Sequence, residues 1–174
     1  LLKQEDAAID VALLSNIHIN YETSYNFDQR KDILFIGGFE HPPNGDAMEY
    51  FIAKIFPLII AQRPEICIYI LGSHPPEELL ARESKNIIVT GFVSDIEPYF
   101  SRIKLSVAPL RFGAGVKGKI NSSMSFGVPV VATTIAAEGM GLVDGEDVLI
   151  GDTADDFARQ VLLAYDDREL WQSL

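Results

Sequence analysis

Cysteine is nearly absent from this chain: Cys67 stands alone, so no intramolecular disulfide can form. It falls in the apolar run 66–71, where a buried structural thiol is expected. Histidine is scarce as well. His18, His41 and His74 lie far apart without metal-ligand spacing, so no metal site is expected. No apolar run approaches the roughly 20 residues that cross a bilayer. No basic, apolar leader opens the chain at Leu1, so neither a signal peptide nor a membrane anchor is expected, and the first residues read as internal to a longer, cytoplasmic protein. Basic residues are outnumbered, 14 against 25 acids, for a net charge of −11. That balance argues against nucleic acid or an anionic lipid surface as a partner.

One absence is local. Between Glu97 and Glu138 there is no acid, whereas Arg102, Lys104, Arg111, Lys117 and Lys119 all fall there. At the chain's average a window of that length would hold about six acids. A basic stretch in an acidic protein points to a focused anion site. Its centre is APLRFGAGVKGKINSSMSFGVPVVAT, residues 108–133. An apolar strand runs there into a glycine-rich loop, then a helix-compatible stretch and a second apolar strand. Glycines let the backbone approach a ligand, and a helix start offers N–H groups to an anion.

What is present otherwise is ordinary for one folded domain: 174 residues, 48% hydrophobic and 22% charged. Apolar β-type runs recur at 33–36, 66–71, 87–90, 105–108, 128–132 and 148–150. Between them the spacing predicts helices. Over 46–62, Met48, Phe51, Ile52, Ile55, Phe56 and Ile59 form one amphipathic face, with Asn44 and Asp46 as candidate caps and Pro57 expected to kink or shorten it. Weaker helices are predicted at 76–83, 96–100, 117–126 and 154–165. The alternation implies a doubly wound parallel α/β sheet. Ligands in such folds bind beyond the carboxyl ends of the strands. Those ends carry Gly37–Gly38, Gly72, Gly91 and the Gly113–Gly115 loop, read equally as tight turns or ligand approach at 72 and 91 and as ligand approach at the other two. Residues 1–31, with one apolar run at 9–14, read as a linker or the tail of a preceding domain.

GAGVKG at 113–118 matches the dinucleotide fingerprint G-x-G-x-x-G, with Glu138 twenty residues further on. That fingerprint normally follows the first strand, whereas this loop follows about the fourth. Two lysines in the loop favour a compact diphosphate over NAD. The acidic strand ends of a phosphoacceptor domain, the G-x-x-x-x-G-K-[ST] loop and the G-x-S-x-G elbow are all missing.

Four motifs in order, FIGGFEHPPNGDAMEYF (35–51), IYILGSHPP (68–76), VTGFVSDIEPYF (89–100) and PLRFGAGVKGKINSSMSFGVPVVATTIAAEGM (109–140), resemble the C-terminal half of a family 4 (group 1) glycosyltransferase. The resemblance spans about residues 33–174. It implies a Rossmann-like half of a GT-B fold, with 32–174 as the nucleotide-sugar donor domain and 1–31 as the tail of the acceptor domain. It also implies retaining transfer to a glycan or lipid-linked acceptor, no metal, and no membrane contact from this half. Arg111 and Lys119 match the cations that neutralise the leaving diphosphate, with Lys117 a third candidate. Gly37 and Gly38 match the turn facing the phosphates. Gly113 and Gly115 shape the loop between the cations. Phe92 and Val93 match the nucleobase loop, although Phe92 reads equally as core. Glu138 and Gly139 match a loop bordering the sugar, although Glu138 reads equally as a turn cap.

Two departures stand out. Relatives often carry two glutamates eight positions apart, the second gripping the ribose; here Ala114 and Ser122 occupy those places. Ser122 remains a candidate substrate contact, since a serine hydroxyl can bond a ribose oxygen, but it cannot grip two hydroxyls with two oxygens as a carboxylate does. The loop 37–46 also lacks a common basic pair and offers His41. A non-catalytic nucleotide-binding module and an NAD-dependent enzyme therefore stay open as alternatives.

Overall fold

The computed structural model describes residues 20–21, 25–115 and 117–174. The apolar run 9–14, His18 and most of the stretch read as a linker lie outside the described residues. Each of the six apolar runs forms a strand: β1 (Lys31–Ile36), β2 (Ile68–Leu71), β3 (Ile87–Gly91), β4 (Ile103–Ala108), β5 (Val130–Ala132) and β6 (Leu149–Ile150). They pair in parallel in the order β3-β2-β1-β4-β5-β6. Ile33 sits opposite Ile68 on one side and Leu105 on the other. The order reverses between β1 and β4, and in such folds ligands bind beyond the carboxyl ends of the strands at that switch point.

Parallel strands need crossovers, and helices cover both faces. After β1 come α1 (Pro42–Tyr50), a π-helical turn (Phe51–Ile55) and α2 (Phe56–Ile60). Then follow α3 (Glu77–Leu80), α4 (Glu97–Phe100), α5 (Gly118–Ser125), α6 (Thr134–Ala137), α7 (Ala154–Asp166) and α8 (Arg168–Ser173). The predicted amphipathic face is buried in full, against Ile33, Phe35, Ile68, Ile70, Leu105 and Val107 on one side of the sheet. Phe157, Ala158, Val161 and Ala164 of α7 complete that layer. Leu34, Leu71, Phe100, Ile103, Phe126 and Val128 form the core on the other side.

Two expectations are corrected, the helix caps and the burial of Cys67, and one is met. Neither Asn44 nor Asp46 caps α1: His41 is the N-cap, without a side-chain cap bond. Pro42 and Pro43 open the helix where a missing N–H costs nothing. Pro57 interrupts the regular helix as expected: a wider π turn precedes it, accommodating the ring and the absent donor, and α2 stops at Ile60, short of the predicted residue 62. Cys67 is only partly covered, since it precedes β2 on the face opposite Ile66 and Ile68; desolvation still pushes its thiol up.

The segment ahead of β1 packs onto this body. Tyr21 stacks on Phe126, with ring centres 4.0 Å apart. Arg30, 2% exposed, donates to the carbonyls of Phe100 and Ile103, both at 3.0 Å. No helix among the described residues is long and apolar enough to cross a membrane.

Candidate functional site

The carboxyl ends of β1 and β4 place two loops side by side. From β1 the chain enters Gly37 and Gly38 and then α1; from β4 it enters the glycine-rich loop and then α5. Gly113 (φ +122°) and Gly115 (φ +80°) adopt backbone conformations that L side chains rarely reach, which explains both glycines. Gly72 answers a different need: a Cβ there would lie 2.0 Å from the Gly37 carbonyl oxygen. The turn after β1 is thus seated directly on the end of β2.

The cations of the second loop reach back to α1. Lys119 Nζ donates to Asn44 Oδ1 at 2.6 Å and stands 5.0 Å from the Phe35 ring centre. Asn44 Nδ2 donates to the Gly38 carbonyl at 2.7 Å. Arg111 Nε donates to Asp46 Oδ2 at 2.9 Å, its Nη2 donates to Asp46 Oδ1, and its guanidinium lies over the Tyr50 ring. The Nη1 edge of that guanidinium makes no hydrogen bond among the described residues. Burial, and secondarily the charge of Lys117, lower the Lys119 ammonium to about 8. Arg111 moves the other way, raised by its hydrogen bonds to Asp46.

Lys117 does something else. It is buried at the start of α5, and its Nζ donates to the carbonyls of Gly115 at 2.6 Å and Gly113 at 3.3 Å. Its charge braces the loop from inside. The remaining basic residues of the acid-free stretch are not at the site. Arg102 and Lys104 stand at the amino end of β4, and Lys104 to Ala108 spans about 13 Å of strand. Lys104 Nζ is enclosed by aromatics, 3.6 Å from the Phe27 ring centre and 4.8 Å from that of Tyr165. Five cations close in sequence therefore divide between the two ends of the sheet. Extended backbone carries them apart.

The other predicted residues line the same rim. Phe92, just past β3, is 76% exposed, which removes its reading as core, while Val93 packs against the second core. Glu138 is exposed and ends α6 after β5, followed by Gly139 at φ +77°. Ala114 is exposed and Ser122 half-buried. The rim then reads, in sheet order, Phe92 and Val93, Gly37 and Gly38, the Arg111–Lys119 loop, and Glu138 with Gly139. Asn44, Asp46 and Thr133 went unrecognised as site residues. Thr133 Oγ1 donates to the Leu110 carbonyl at 2.6 Å, directly ahead of Arg111, and accepts from Ala136 N at 3.2 Å. The sole hint for Asn44 and Asp46 was their place on the helix that follows Gly37–Gly38. No group of three or more metal-ligating side chains occurs among the described residues.

The family description "Glycosyl transferases group 1" matches residues 30–167. The chain belongs to the group 1 glycosyl transferases. It is 27% identical over 161 residues to the uncharacterized 44.6 kDa protein in the cps region of Klebsiella pneumoniae, covering 86% of this chain and 42% of that protein. The chain thus spans less than half the length of that relative. Among solved structures, it is similar to a TarM variant of S. aureus in complex with fondaparinux, alpha-GlcNAc-glycerol and UDP (TM-score 0.80, 18% identity, 99% of this chain, 36% of that one). The C-terminal domain of the group 1 glycosyl transferase LpcC from Francisella tularensis matches with a TM-score of 0.68 at 18% identity, over 89% of each chain. HepE of Anabaena in complex with UDP and glucose matches with a TM-score of 0.67 at 13% identity, over 84% of this chain and 42% of that one. At these identities the likeness establishes the fold: the chain has the Rossmann-like architecture of a GT-B glycosyltransferase domain.

Proposed function

We propose that this glycosyl transferase chain is the donor half of a retaining enzyme, binding a nucleotide diphosphate sugar for transfer to a glycan or lipid-linked acceptor. The observation that carries the reading is the convergence of Lys119 and Arg111 on α1, beside Gly38, at the switch point of the sheet. Breaking the bond between sugar and diphosphate builds negative charge on the leaving group. Cations already fixed in place stabilise that charge without reorganising at the moment of reaction. Arg111 and Lys119 would supply this in place of a metal.

The order along the rim supports the same reading. Strands lie about 4.8 Å apart, so Phe92 and Val93 stand about 10 Å across the sheet from β1. A base at Phe92 and Val93, phosphates at the switch point and a sugar beside Glu138 would follow the rim in that order. The site is an open rim, as one wall of a cleft would be; the other wall would come from an acceptor domain. One bound ligand supports the reading by analogy, since TarM and HepE have both been crystallised with UDP.

Titrating UDP, GDP, ADP and NAD against the chain, by calorimetry or amide NMR, tests the reading. A preference for one nucleoside diphosphate is expected; preferential binding of NAD would sink it. Ala114 and Ser122 motivate a second reading, a nucleotide-binding module without transferase activity. Ser122→Glu tests the ribose position in either reading: a restored contact should tighten the diphosphate and its nucleoside alike.

A further inference from the structure

Asn44 is 6% exposed and spans the two site loops without capping its helix. Its orientation is settled by chemistry. The Gly38 carbonyl can only accept, so Nδ2 faces it; the Lys119 ammonium can only donate, so Oδ1 faces that. Gly37 leaves room for this amide, because a Cβ there would lie 2.8 Å from Asn44 Nδ2. We propose that Asn44 is a positioning residue, which holds the Lys119 ammonium toward a nucleoside diphosphate and ties it to the turn after β1 while leaving its charge intact. This rests on the diphosphate reading above.

A carboxylate in the same place would cancel the charge and repel phosphate. An amide oxygen orients the ammonium through one donor and leaves two for the ligand. The groups facing Lys119 are Asn44 from α1, Phe35 from β1 and Lys117 from its own loop. Lys119 forms no ion pair among the described residues.

The test compares Asn44→Ala and Asn44→Asp with the parent chain. Each is titrated with whichever of UDP, GDP or ADP the parent binds, and with the matching nucleoside, from about pH 6 to about pH 10, a range that brackets lysine titration. Asn44→Ala should weaken the diphosphate about five- to twentyfold and spare the nucleoside. It should also move the alkaline midpoint of diphosphate binding to lower pH. Asn44→Asp should move that midpoint to higher pH and still bind the diphosphate more weakly than the parent. Opposed shifts of this kind do not arise from packing alone. Midpoints unchanged in both folded variants overturn the proposal and leave the diphosphate reading standing. Failure of the parent to bind any nucleoside diphosphate overturns the two together. Where a variant does not fold, the parent still decides: the Asn44 side-chain amide resonances should move when diphosphate is added, and immobile resonances overturn the proposal.

Discussion

Lys119 is held in a place that penalises its charge. Burial lowers its ammonium to about 8, against about 10.4 in an unfolded chain. Between those values the unfolded state binds more protons, so stability should rise with pH across that window. Below it the cost of keeping the charge is carried in full. Lys119→Met should therefore stabilise the unliganded chain at pH 7 by about 1–2 kcal/mol, after allowing for the lost bond to Asn44, with the gain fading toward pH 10. Thermal melts across that range check it. The same variant should weaken diphosphate binding by about 1.5–3 kcal/mol and barely affect the nucleoside; equal losses would mean that Lys119 acts through folding. In the parent, diphosphate affinity should fall as pH rises through about 8, where the ammonium is lost. Calorimetry at several pH values reads this directly. Arg111 and Lys119 were legible from their residue type and loop. Asn44 and Asp46 were not, because they meet those cations across 75 and 65 residues of sequence.

Elements were legible where a pattern is long. All six strands follow from apolar runs, and the amphipathic face over α1 and α2 is buried as the spacing predicts. Helices α6 and α8, of four and six residues, fall where the spacing predicts no helix. Yet α6 matters to the site, since its N-cap Thr133 also pins Leu110 ahead of Arg111. Thr133→Val should cost about 1–3 kcal/mol by losing the cap and leaving buried groups unpaired, and chemical denaturation measures that. Gly72 reads from sequence equally as a tight turn or a point of ligand approach; the structure adds a close approach to the Gly37 carbonyl. Gly72→Ala should cost about 1–3 kcal/mol through overpacking against backbone and weaken diphosphate binding by shifting Gly37 and Gly38. Undiminished binding in that variant would show that the turn can move without harm.

At the scale of the whole molecule, strand alternation implied the doubly wound class, but the strand order came only from the fold. That order puts β1 beside β4 and so brings two sequence-distant glycine loops together. It also divides the acid-free stretch, sending Arg111, Lys117 and Lys119 to one end of the sheet and Arg102 and Lys104 to the other. In the proposed reading the acceptor is held by a separate domain. The 174-residue chain should accordingly bind a nucleoside diphosphate yet transfer no sugar unaided. A radiolabel assay with donor and acceptor glycans checks this, and turnover by the chain alone would refute it.

By itself the amino-acid sequence determined what local chemistry can encode: β runs from apolar residues, loop shape from glycines, and a candidate anion site from lysine and arginine without acids. Tertiary structure decided which partners each charge meets. Lys117 donates to carbonyls of its own loop, Lys104 sits among aromatic rings, Arg111 pairs with Asp46, and Lys119 is half-buried and held by a neutral amide. The physical reason is that a charge's worth depends on desolvation and on its partners, and here the partners are set by strand order rather than by neighbours in sequence.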